Sequence, residues 1–103
     1  MDRVEISSLL EIYGVLMPDK QRLMLELYCD EDLSLSEVGE NIGITRQGVR
    51  DAINKAVTFL TETEQKLRLV EKNNQITTKV QRIIELSQDN DIKKAAKEIL
   101  NIL

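Results

Sequence analysis

Only one proline, Pro18, and four glycines interrupt the 103 residues, and with so few breakers little besides helix is open to the chain. Proline removes a backbone donor and clashes with the preceding turn, and glycine costs about 1 kcal/mol against alanine in a helix interior. Between these breakers Leu, Ile, Glu and Lys dominate, residues that keep most of their rotamer freedom in a helix or pack well along one face. Few segments alternate apolar and polar residues at the two-residue period of a half-buried strand. The sequence predicts an all-α protein, a three- or four-helix core of winged-helix-like type without a β-wing. One domain over residues 1–103 is expected, with a core at 1–60 and a helical extension at 61–103 that packs or dimerises.

Composition removes whole classes of chemistry. Histidine is absent and Cys29 is the only cysteine, so Ser-His-Asp and Cys-His triads and a Cys/His zinc cage lack their residues. No intrachain disulfide can form, which fits a reducing, cytoplasmic setting. No apolar run approaches the ~20 residues of a membrane span, and Met1-Asp2-Arg3-Val4-Glu5 lacks the basic and apolar regions of a signal peptide. No nucleophile–base pair or phosphate-cradling loop is seen, so no catalytic residue, cofactor, metal or membrane contact is expected. Cys29, Tyr13, Tyr28 and Phe59 read as core residues, and Asp30-Glu31-Asp32 as a solvated loop.

Apolar spacing places the helices. Val4/Ile6, Leu9, Leu10, Tyr13 and Leu16/Met17 form a first stripe that Pro18 ends. A second helix begins at Pro18-Asp19 with Leu23, Met24, Leu27 and Tyr28 inward. Ser34-Leu35-Ser36-Glu37 is a capping-box pattern, giving a third helix from Leu35 to about Ile42 with Leu35, Val38 and Ile42 inward. Gly43 then supplies a left-handed turn, and Thr45 caps a fourth helix. That helix is expected to run to Lys72, about 42 Å at 1.5 Å per residue, and to break at Asn73-Asn74. Val49, Ile53, Ala56, Leu60, Thr63, Leu67 and Val70 step along it at 4-3-4-3-4-3, a coiled-coil-type seam read as a spine for two further helices. Those two carry Ile76, Val80, Ile83 and Ile84, then Ile92, Ala95, Ala96, Ile99, Leu100 and Leu103.

A short capped helix, a glycine turn and a second helix opening Thr45-Arg46-Gln47 make a helix-turn-helix. Gly39 sits where the crossing backbones come close. With Val49, Ala52, Ile53 and Ala56 inward, Arg46, Gln47, Arg50, Asp51, Asn54 and Lys55 must point outward. Arginine forks onto guanine, Gln or Asn onto adenine, and Lys55 with the Thr45 hydroxyl suits phosphate. Thr45, Arg46, Gln47, Arg50, Asp51, Asn54 and Lys55 are therefore the candidate DNA-binding residues, with Arg46, Gln47 and Arg50 nearest the base edges. Net charge is −4, low for a protein that must neutralise phosphates. Residues 1–33 hold eight acids and three bases, whereas 34–72 balance and 73–103 sum to +1. Three cations on one recognition helix hold duplex DNA weakly alone, which points to a homodimer or to a partner.

Leu33 to Ala56, with Ser-Leu-Ser-Glu-Val-Gly and Thr-Arg-Gln-Gly-Val-Arg, resembles region four of bacterial sigma factors, which binds the −35 promoter element. Asp19-Lys20-Gln21-Arg22 with Leu27-Tyr28 is similar to the helix leading into it. At 103 residues there is no room for a promoter-melting domain, so recruitment or competition is the most such a chain does. Over its full length, including Leu16-Met17-Pro18-Asp19-Lys20-Gln21, the chain more closely resembles the YlxM family. These are small helix-turn-helix proteins whose genes lie beside those of the signal recognition particle protein Ffh and its receptor FtsY. The resemblance implies double-stranded DNA as partner and a regulatory place in that pathway. An adaptor that binds the particle's protein or RNA is the other reading. Gly48 departs from the family, which often carries alanine there, so the first turn of the recognition helix is expected to order on binding.

Overall fold

The computed structural model describes residues 2–103, and among them there are six α-helices and no strand. They form two compact units, one reaching to Arg68 and the other Leu69–Leu103. The first unit holds α1 (Arg3–Tyr13), a 3-10 turn at Gly14–Leu16, α2 (Asp19–Cys29), α3 (Leu35–Ile42) and α4 (Arg46–Leu67). The second is a hairpin of α5 (Leu69–Leu86) and α6 (Asn90–Ile102).

Unit one is built around α4, which packs against α1, α2 and α3. Its core is Ile6, Leu9, Leu10, Tyr13, Met17, Met24, Leu25, Val38, Val49, Ile53, Ala56 and Leu60, with no buried polar or charged residue among those described. The stripe of α1 is as expected at Ile6, Leu9, Leu10 and Tyr13, while Val4 and Leu16 are exposed. In α2 the inward residue beside Met24 is Leu25, fully buried, and Leu23 lies at the surface. Pro18 precedes the helix in an extended conformation instead of occupying its first turn. Tyr13 donates a hydrogen bond to the Glu64 carboxylate, tying α1 to the last turns of α4.

The recognition helix is shorter than its sequence suggests. Arg68 adopts a left-handed conformation at φ 55° and its N–H donates to the Glu64 carbonyl at 2.7 Å. This closes α4 after 22 residues, about 33 Å. The expected break at Asn73-Asn74 does not occur, and α5 runs through both residues. Asparagine in a helix interior costs only a fraction of a kcal/mol, about 0.7 at most, too little to stop a cooperative helix. The seam likewise ends at Leu60: Thr63 turns its hydroxyl back to the Phe59 carbonyl, and Leu67 is 46% exposed. Phe59, read as core, is exposed.

The acidic segment before α3 is tied down rather than free. Arg3 pairs with Asp32, donates to the Leu33 carbonyl and stacks 4.2 Å from the Tyr28 ring centroid. Ser7 donates to Asp30 at 2.7 Å. Tyr28 is thus half-buried beneath a guanidinium and not a core residue. Cys29 is half-buried, and burial, with Asp30 beside it, pushes its thiol above the ordinary range, which keeps it protonated and unreactive at neutral pH.

Candidate nucleic-acid interface

The helix-turn-helix is built from α3, the turn Gly43–Thr45 and the start of α4. Ser34 caps α3 reciprocally: its hydroxyl accepts from the Glu37 N–H, and the Glu37 carboxylate accepts from the Ser34 N–H, both at 3.1 Å. The Ser34 N–H, and after it the Ser34 hydroxyl beside the carboxylate, hold the Glu37 carboxyl below its usual range. A carboxyl depressed in the folded state stabilises above its unfolded pKa, and that support is lost as pH falls through the folded pKa. Ser34→Ala is therefore expected to cost about 0.5–2 kcal/mol at neutral pH. In acid denaturation followed by circular dichroism, the gap between wild type and variant should narrow below the ordinary carboxylate range. A remaining gap in acid reflects the hydroxyl's bond to the Glu37 N–H, which does not titrate, whereas a gap of wholly unchanged size would disprove the carboxylate's part in the cap.

The turn rests on two glycines with different tasks. Gly43 takes φ 88°, and Gly39 accepts from the N–H groups of both Gly43 and Ile44 at 2.8 and 3.0 Å. A Cβ at Gly39 would stand 2.6 Å from the Ile44 carbonyl oxygen, so this is the close approach that its spacing predicts. Thr45 then caps α4, its hydroxyl accepting from the Gly48 N–H at 3.0 Å. The first turn of α4 is fully helical despite Gly48, which differs from the expected ordering on binding, because this cap supplies what glycine lacks. A Cβ at Gly48 would lie 3.1 Å from that capping oxygen.

Thr45, Arg46, Gln47, Arg50, Asp51, Asn54 and Lys55 are all exposed, and the inward set Val49, Ile53 and Ala56 is buried with Ala52 half-buried. The seven thus share one solvent-facing surface at the start of α4. Gln47 donates to Asp51 at 3.0 Å, so part of its capacity is used within the helix while Arg46 and Arg50 stand clear. No acidic residue occupies the first turn of α4, whereas α1, α2, α3, α5 and α6 carry Glu5, Asp19, Glu37, Glu71 and Asp91 in theirs. A helix start normally attracts carboxylates because its N–H groups carry partial positive charge. At α4 no first-turn carboxylate offsets that potential, and Arg46 adds to it.

The structure also brings in residues not counted in the site from sequence. Lys20 and Gln21, at the start of α2, line an open groove with Met24, Gly48, Asp51 and Lys55. Lys20 thus adds a fourth cation to the face. The pattern Asp19-Lys20-Gln21-Arg22 was its only signal, because the approach of α2 to α4 is a tertiary contact. On the other side Ser36 and Glu40 of α3 flank the turn beside Arg46.

The fold and this surface define a helix-turn-helix protein. The chain matches, over residues 1–100, the family described as "UPF0122: Putative helix-turn-helix protein, YlxM / p13 like", and it belongs to that family. It is 36% identical over 109 residues to a UPF0122 protein of Clostridium novyi, covering 99% of this chain and 95% of the relative. A UPF0122 protein of Mycoplasma capricolum is 37% identical over 99 residues, 94% of this chain and 87% of its own. One from Fusobacterium nucleatum is 36% identical over 100 residues, 97% and 94%. No helix among the described residues is long and apolar enough to cross a membrane.

Proposed function

We propose that this protein is a regulatory DNA-binding protein that reads duplex DNA through the first three turns of α4, acting as two copies. The observation that carries this reading is the start of α4. It alone among the helices whose first turn is described lacks an acid there, and it opens with Arg46 and presents Arg46, Gln47 and Arg50 to solvent. Arg46 and Arg50 fork onto guanine edges, Asn54 and Gln47 offer amides to adenine, and Asp51 accepts from cytosine. Thr45, Lys55 and Lys20 fall where phosphates pass and fix the register. The protein carries out no catalysis in this reading and uses no cofactor or metal.

The family resemblance suggests the signal recognition particle pathway, with Ffh and FtsY, as the setting. A second reading is an adaptor that binds the particle's protein or RNA; the net charge of −4 favours its protein-binding form, since acidic chains attract the phosphate backbones of DNA and RNA poorly. Capture of random duplex DNA at several salt concentrations separates the two. An enriched sequence is expected, and Arg46→Ala and Arg50→Ala should each cost about 1–3 kcal/mol and relax it, while Lys55→Ala weakens all sites alike. Equal binding by wild type and the Arg46→Ala/Arg50→Ala variant would exclude the DNA reading. Stable association with the particle's protein or RNA, indifferent to both arginines, would then support the adaptor.

A further inference from the structure

Unit two is 35 residues long, the difference between Leu69 and Leu103 inclusive, and it is short of core. Val80 and Ala96 are its only buried residues among those described, while Ile76, Ile83, Ile92 and Ile99 are each 41–49% exposed. Units under about 40 residues usually need a disulfide, a metal or oligomerisation to hold together, and the only cysteine is Cys29, outside this unit. The exposed isoleucines are ordered. Ile76 and Ile83 lie seven apart on α5, and Ile92, Ala95, Ile99 and Ile102 step 3-4-3 along α6. A 3.5-residue period is what a second helix packs into at a shallow crossing angle.

The helix period also fixes the neighbours of these stripes. On α5 the half-buried residues are Val70, Asn73, Thr77 and Ile84, and on α6 they are Lys93 and Leu100. At about 100° per residue, both isoleucine stripes then fall on one face of the antiparallel hairpin. Beyond the stripe of α5, on its outer edge, stand Lys72 and Lys79; beyond that of α6 stand Asp91 and Glu98, all exposed. The apolar face therefore has one basic and one acidic border.

We propose that this face pairs with the same face of a second copy to form a four-helix bundle, and that the charged borders select its arrangement. A two-fold axis along the helices lays α5 of one copy on α6 of the other, basic border against acidic border. The alternative axis, across the helices, lays α5 on α5 and puts lysines against lysines. A surface that carries both signs on opposite edges matches itself under the first operation, which is why the occupant is a second copy. With Val80 level with Ala96, Lys79 of one copy and Glu98 of the other stand within one residue, about 1.5 Å, of the same height. This deepens the two-copy reading of the DNA-binding function by giving the surface that joins the copies.

The test is light scattering of the full chain after size exclusion, from high nanomolar to tens of micromolar protein, without DNA. Twice the chain mass is expected, and Ile83→Glu/Ile99→Glu should shift it to the single-chain mass. Lys79→Glu or Glu98→Lys alone should raise the dissociation constant about tenfold, because each reversal turns two symmetric attractions into repulsions. Lys79→Glu/Glu98→Lys together should restore it. A single-chain mass for the wild type, a dimer unmoved by the isoleucine changes, or charge reversals that fail to compensate would each overturn the proposal. Arg46 and Arg50 are untouched in all these variants, so a failure here is distinct from a failure of DNA binding.

Discussion

Gly39→Ala is expected to destabilise the helix-turn-helix by about 1–3 kcal/mol, the usual range for forcing extra volume into a packed site, even after the gain in helix propensity. The added methyl would stand 2.6 Å from the Ile44 carbonyl oxygen. That atom belongs to backbone and cannot swing away like the end of a side chain. The same turn is pinned from the other direction, because the Gly39 carbonyl accepts both the Gly43 and the Ile44 N–H. Relief requires α3 and α4 to move apart, which loosens the core where Val38 and Val49 are fully buried. Replacing glycine by alanine in a helix gains about 1 kcal/mol by itself, so a neutral or stabilising result in urea unfolding would contradict the close approach. Gly43→Ala is a useful contrast. Nothing lies within 4 Å of a Cβ there, and its cost of about 1–2 kcal/mol comes from the left-handed backbone alone.

Leu60→Ala is expected to cost about 2–5 kcal/mol, as for other fully buried leucines. Leu60 is completely buried and is the last core residue of α4, the helix that packs on α1, α2 and α3. Since small domains hold only about 5–15 kcal/mol in total, this single change removes a large share of the stability. The melting temperature should fall by roughly 10 °C or more, at about 4–8 °C per kcal/mol in a unit of this size. Leu67→Ala removes the same atoms two turns later, where the side chain is 46% exposed, and should stay near the 0.5 kcal/mol typical of surface changes. Thermal unfolding of the two variants side by side measures where the core ends. Equal losses would mean that burial continues along the seam past Leu60.

Much of the helix-turn-helix was legible because its signals are local. The Ser34/Glu37 box, the Gly43 turn and the Thr45 cap each act within four residues, and each forms where the spacing places it. The outward face of α4 followed by subtraction from Val49, Ile53 and Ala56, and its candidate residues are all exposed. The burial of Leu25 in place of Leu23 has no local signal, because the helices packed against α2 decide which of its sides is covered. The break at Arg68 had no signal either. Arginine is a good helix former, and a left-handed arginine costs about 1–2 kcal/mol that nothing in the local sequence announces.

The sequence by itself determined an all-α chain, the positions of the caps, the helix-turn-helix and the cationic residues at the start of its second helix, since all of these rest on interactions within one or two turns. Tertiary structure alone decided which side of α2 is buried, that Lys20 joins the face made by α4, that Tyr13 reaches Glu64, and that the chain divides at Arg68. Those outcomes depend on residues up to 51 positions apart meeting in space. The energy of such meetings comes from burial and close packing between elements, which no window along the chain contains.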